Sequence, residues 1–116
     1  MDLYFEPYWR DVGHLVAWLD AHPALYGDAL QWRVGKIVEE VGEAQAALGA
    51  IAQQNPRKTG ITGNGISPTA RLAAELCDVI ITASVALHTL TPAPAEQVAA
   101  RIDAIRERIT PQGEPA

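Results

Sequence analysis

A chain of 116 residues has room for one domain with a modest core. Apolar residues make up 48% of it and charged residues 20%, the balance of a folded globular protein and not of a disordered one. The formal charge of −5 and pI of about 5.0 argue against a nucleic-acid polymer as partner, which requires a basic patch. A smaller polyanion can still bind where divalent cations cover the carboxylates.

Cys77 is the only cysteine, which excludes an internal disulfide framework and a cysteine-rich zinc site. Its neighbours Leu76, Val79 and Ile80 predict a buried, inert thiol. No basic start followed by an apolar run opens the chain, and LCDVIITASVAL carries Asp78 and is short of spanning length. A cytoplasmic protein without a membrane partner is expected.

In chain order, MDLYF is a short apolar lead, and a first helix begins near Glu6 with Pro7 in its first turn. Leu15, Trp18 and Leu19 form its apolar stripe, extended by Tyr8 and Val12, and His22-Pro23 marks its end. His14 has no other histidine or cysteine at ligand spacing, so a packing or surface role fits it. After the connecting PALYGDAL, Asp28 is placed to cap a second helix that runs to about Leu48, where Gly49 either stops it or loosens it. Val34, Ile37, Val38, Val41 and Leu48 form its apolar face. Gly42 lies among its acids and lets another helix or a ligand approach closely.

Residues 53–68, QQNPRKTGITGNGISP, form a break rich in glycine and proline, long for a connector in so small a domain. It holds Arg57 and Lys58 side by side, in a spacing that is not that of a P-loop. Ser67-Pro68 restarts a helix over roughly 68–90, with Leu72, Leu76, Val79 and Ile80 on its apolar side. The β-branched DVIITASV is the one stretch that also suggests a strand, but its three-and-four spacing favours helix. Thr91-Pro92 or Ala93-Pro94 opens the last helix, which carries Val98, Ile102, Ile105 and Ile109. Residues 1–109 therefore read as a single all-α four-helix bundle and 110–116 as a frayed tail. A homodimer or homotetramer is expected from the domain's size and the small apolar residues of the third helix.

The chemistry concentrates in two acidic segments. At 100° per residue Lys36, Glu40 and Glu43 fall within about 60° of one another, and Glu39 widens that strip. Glu75 and Asp78 are again three apart on the next helix. Carboxylates so placed repel unless something positive sits among them, and Lys36 is one cation against three anions. Side by side, the two helices bring Glu40, Glu43, Glu75 and Asp78 together around a hard divalent cation, which prefers oxygen ligands. Glu39 is then placed to hold or deprotonate a water, in a metal-assisted attack on a phosphoanhydride.

Glu39-Glu40-Val41-Gly42-Glu43 resembles the EExxE half, and Glu75-Leu76-Cys77-Asp78 the ExxD half, of the MazG-like all-α nucleoside triphosphate pyrophosphohydrolases. The likeness runs from about Trp32 to Leu90 and includes NPRK in the loop between. Thr82, one turn past Asp78, stands where some relatives add a polar or acidic group. The resemblance implies an oligomeric helical bundle that uses Mg²⁺ (Mn²⁺ as a substitute) to split a nucleoside triphosphate between its α and β phosphates. Carried over, it makes Glu40, Glu43, Glu75 and Asp78 metal ligands and Glu39, with Glu40, the catalytic pair. Lys36, Arg57 and Lys58 become candidates for the phosphate tail and Trp32 for base stacking. Two other readings stay open: a non-catalytic oligomerisation or interaction module, and a nucleotide sensor without turnover.

Overall fold

Local capping marks the end of the first helix and the starts of the second and third. In a computed structural model, which describes residues 5–22, 28–52 and 67–110, four helices follow in order: α1 (Phe5–Ala21), α2 (Ala29–Ala52), α3 (Pro68–Leu90) and α4 (Pro94–Ile109). There is no strand among the described residues, and DVIITASV lies within α3. The tail 111–116, the connection 23–27 and residues 53–66 are outside the described residues.

The His22 ring closes α1: its Nδ1–H donates to the Trp18 carbonyl at 2.7 Å, and the imidazole stacks on the Trp18 indole. Asp28 caps α2 as expected, its Oδ1 accepting from the backbone N–H of Leu30 at 2.7 Å and of Gln31 at 3.2 Å. Gly49 does not stop α2, which continues to Ala52. Ser67 Oγ accepts from the Ala70 N–H at 3.1 Å and Pro68 takes the first position of α3. Of the two proline starts open for α4, Ala93-Pro94 is the one used.

The helices form an open bundle around one antiparallel pair. Arg33 near the start of α2 meets Thr89 near the end of α3, and further along α2 Glu40 and Glu43 meet Glu75 near the start of α3. One row of protected positions on α2 runs 30, 33, 37, 40, 44, 47 and 51, and one on α3 runs 72, 75, 79, 82, 86 and 89, while 49 on α2 and 68, 83–85, 87 and 88 on α3 are protected outside these rows. Both sets alternate steps of three and four, the period of two helices meeting along a seam. This corrects the apolar face expected for α2. Val34, Val38, Val41 and Leu48 are exposed, and Ala44, Ala47 and Arg33 are buried instead. Ala44, Ala47 and Ala86 fill little space where α2 and α3 meet, beside the larger Ile37 and Val79.

Helix α1 lies on the C-terminal half of α3, where Val12, Val16 and Val85 form the core with Tyr8, Trp9 and Leu19 against it. Ser84 gives its one hydroxyl hydrogen to the Ile80 carbonyl, so the Tyr8 hydroxyl, 2.6 Å away, donates to Ser84 Oγ. The α1 stripe is rotated from the expected one: Leu15 and Trp18 are exposed and Val16 is buried. Cys77 is also exposed, because at 100° per residue its side chain points away from the α2 seam that Glu75 and Val79 face, so the expected buried thiol is not found. Helix α4 touches α1 and α3 lightly. The radius of gyration is 18.0 Å, against about 13 Å for a closed domain of this length.

Because Ser67 supplies the side-chain cap at the start of α3, Ser67→Ala should lower the unfolding free energy by about 1 kcal/mol. Ser67→Asp should retain most of it. Urea denaturation followed by circular dichroism checks both.

Candidate metal centre

Glu40 and Glu75 occupy positions of the α2–α3 seam itself, which is why they are half-buried while Glu43, off the seam, is exposed. One carboxylate oxygen each from Glu40, Glu43 and Glu75 lies within 4.8 Å of the other two. Two helices far apart in sequence thus place three oxygens around one point. Asp78, one turn along α3 from Glu75, lies outside that triad, and its negative charge acts on both Glu40 and Glu75.

The electrostatics are those of an unneutralised anion cluster. The Glu40 carboxyl is held above its ordinary value, first by burial and then by the charges of Glu43 and Asp78, with Lys36 opposing. Glu75 is likewise raised, by burial first and then by Glu43 and Asp78, with Arg71 opposing. Glu75 Oε2 is cut off from solvent and has no hydrogen-bond partner. A buried carboxylate oxygen without a partner is costly unless a cation or proton meets it. The donor set also suits a cation: carboxylate oxygens from several residues are what Mg²⁺ and Mn²⁺ take, usually with water completing the shell. The residues present therefore fit a hard divalent ion.

Lys36 does not sit inside the triad. Its Nζ donates to Glu39 Oε2 at 2.7 Å, and that bond raises the pKa of the amine first, with smaller help from Glu40 and Glu43. Both side chains of this pair are about half exposed, so the bond orients them more than it stabilises the fold. Glu39 is on the rim beside the triad, turned toward Lys36.

Beyond Lys36 lies a pocket of about 230 Å³ enclosed by α1, α2 and α3. Leu19, Trp32, Arg33, Lys36, Ile81, Thr82 and Val85 line it. It is below the roughly 300–1,000 Å³ of a site for a whole drug-sized ligand, so it suits one apolar or planar portion of a molecule. Trp32 and Lys36, singled out from the sequence, are both in its wall. Arg33 is not legible as a pocket residue from sequence, although its place in the three-and-four seam with Ile37 and Glu40 is a signal. The Arg33 guanidinium is buried, donating to Thr89 Oγ1 and to Asp20 Oδ1, each at 2.7 Å, which ties the ends of α1, α2 and α3 together. Arg57 and Lys58 lie outside the described residues. Comparison of the chain with known protein families, curated proteins and solved structures finds no match.

The raised carboxyls set the sign of a pH effect. The native chain holds these protons more tightly than the unfolded chain, whose glutamates titrate near 4.5. Their contribution to stability is therefore present below that pH and is lost as pH rises through the raised values. In chelator, Glu40→Gln should melt higher than the native chain at about pH 7.5, with the gap closing toward pH 4.5. Added Mg²⁺ should raise the native melting temperature at pH 7.5, do so much less at pH 5, and fail to move Glu40→Gln. Scanning calorimetry across pH reads all of these.

Proposed function

We propose that the chain is a Mg²⁺-dependent nucleotide pyrophosphohydrolase, with Mn²⁺ as an alternative ion. The convergence of Glu40, Glu43 and Glu75 from two helices, with one buried oxygen lacking a partner, carries the reading. The likeness of EEVGE and ELCD to the paired motifs of MazG-like enzymes supports it and supplies the reaction class.

Glu40, Glu43 and Glu75 would hold the ion, and Asp78 adds charge at the margin of the site. A divalent cation bound there would neutralise the phosphate chain and lower the pKa of an attacking water. Glu39 stands beside the triad to take the proton of that water, and its bond to Lys36 fixes its direction. Lys36, with Arg57 and Lys58 from the segment after α2, pairs with phosphate oxygens. The apolar pocket next to Lys36 receives the nucleoside, with Trp32 offering its indole to the base. Water adds across the bond between the α and β phosphates, and nucleoside monophosphate and pyrophosphate leave. Positioning and electrostatics supply most of the acceleration in such a reaction.

Incubation with a panel of canonical and modified nucleoside triphosphates and Mg²⁺, with products resolved by chromatography, tests the proposal. Equal amounts of monophosphate and pyrophosphate are expected from at least one substrate. Glu40→Gln and Glu43→Gln should each reduce turnover more than about 100-fold, since even outer-shell partners of a metal site are worth 10–100-fold. A folded chain that turns over no member of the panel with either ion overturns it. Nucleotide affinity without product would assign a sensor in its place.

A further inference from the structure

Arg33 is the one buried charged residue among the described residues, with 8% of its side chain exposed. A guanidinium is planar and carries five N–H donors. Two of them are used: one on Nη1 donates to Thr89 Oγ1 and one on Nη2 to Asp20 Oδ1, each at 2.7 Å. Arg33 has no further partner among the described residues. Three N–H groups, one on each nitrogen, are left on a side chain with little access to solvent. Donors so placed cost free energy until an acceptor meets them.

The space beside Arg33 is the pocket, and Arg33 is part of its wall. Leu19, Trp32, Ile81 and Val85 make most of the remaining wall apolar. Lys36 turns its amine to Glu39, so the guanidinium is the pocket's fixed donor. It is held from two other helices, from α1 through Asp20 and from α3 through Thr89, and needs no rearrangement to receive a ligand. Asp20 also defines the kind of acceptor that is missing. The charge of Arg33 already has its carboxylate, so the unmet demand is for hydrogen-bond acceptors and not for a second anion. A phosphate there would bring surplus negative charge, whereas a carbonyl oxygen or a ring nitrogen brings none.

Place along α2 then selects the part of the ligand that Arg33 meets. Arg33 precedes Glu40 by two turns, about 10 Å of helix, with Lys36 between them. A nucleotide laid along that line has its phosphates at the acids and Lys36, and its base at Arg33 and Trp32. On the edge away from the sugar, guanine and hypoxanthine present two neighbouring acceptors, O6 and N7, which an arginine meets in a two-pronged contact. Adenine sets an amine donor beside N7, cytosine shows an amine, and uracil has a single O4. We propose that Arg33 reads the base in this pocket and selects a 6-oxopurine through O6 and N7. The inference rests on the nucleotide reading of the site and adds the class of nucleotide.

Calorimetry of the full chain with Mg²⁺ and non-cleavable nucleotides tests it. The α,β-imido triphosphates of guanosine, inosine, adenosine, cytidine and 7-deazaguanosine block hydrolysis at the bridging nitrogen and leave affinity alone to be read. The guanosine and inosine forms should bind on the order of 10- to 100-fold more tightly than those of adenosine and cytidine, the worth of one good two-pronged contact. The 7-deaza form lacks the N7 acceptor and should lose most of that advantage. Arg33→Lys keeps a charge beside Asp20 but not the planar edge, and should bring guanosine to within about twofold of adenosine. If that variant unfolds, the 7-deaza comparison on the native chain decides. Equal weakening of every nucleotide in Arg33→Lys would mean a structural role and overturns the proposal. So does a native chain that binds adenosine or cytidine as well as guanosine, or none of them. Guanine-selective binding without cleavage of GTP would leave it standing and remove the enzymatic reading. Cleavage without base preference would do the reverse.

Discussion

Placing two carboxylates in the contact between α2 and α3 is the constraint on which the rest of the structure depends. Glu40 and Glu75 take seam positions that the three-and-four pattern would otherwise give to apolar side chains. A lone ionised acid there would carry a desolvation penalty. The seam limits it in two ways visible in the structure. The acids sit near the middle of α2, where Glu40 remains partly open to solvent, and the strongest packing falls to either side, at Ala44 and Ala47 and at Ala86. The neighbouring cation Arg33 gives no help, because two turns away its guanidinium is committed to Asp20 and Thr89.

Polar contacts that stabilise only modestly can still fix how the helices line up. Arg33 to Thr89 and Tyr8 to Ser84 each join a half-buried or buried group on one helix to a specific hydroxyl on α3. A slip of α3 by one turn, about 5.4 Å, would break both and carry Glu75 away from Glu40 and Glu43. Where Ala44, Ala47 and Ala86 fill the seam, sliding is opposed less than between interlocking large side chains. The hydroxyl contacts supply the register that the small side chains do not, and so they hold the triad together from the far end of the helix pair.

The starts of α2 and α3 were legible in the sequence because capping is local: Asp28 and Ser67-Pro68 act within four residues of themselves, whereas two proline starts stayed open for α4 and the end of α2 was expected about four residues too early. The convergence of Glu40, Glu43 and Glu75 was legible for a similar reason, since i, i+3 spacing fixes each acid on a face and only the pairing of neighbouring helices had to be added. Which apolar stripe of α2 turns inward was not legible. Val34, Val38, Val41 and Leu48 have the same period as Ala44 and Ala47 and far more apolar surface, yet the alanines are buried. Periodicity identifies a stripe, but which stripe is buried is decided by how α3 packs on α2. Cys77 was misplaced by the same route: apolar neighbours in sequence point in other directions on a helix.

The position of α1 divides the outer side of the hairpin into two chemically different halves. Tyr8, Val12 and Val16 lie against α3 around Ser84 and Val85, and so α1 covers the C-terminal half of α3 and leaves the turn of Glu75 and Asp78 uncovered. Under the covered half, Leu19, Ile81 and Val85 wall an apolar pocket. Beside the uncovered half, the carboxylates keep access to water and ions. Lys36 belongs to both halves, lining the pocket and bonded to Glu39 on the rim of the triad. A molecule with a flat apolar end and a polyanionic end matches that order of environments, whereas one charged or apolar throughout would match only half of it. The same argument explains why Glu43 can be exposed without being irrelevant: a cation site that must admit phosphate oxygens needs an open side, and Glu43 supplies a ligand oxygen from there.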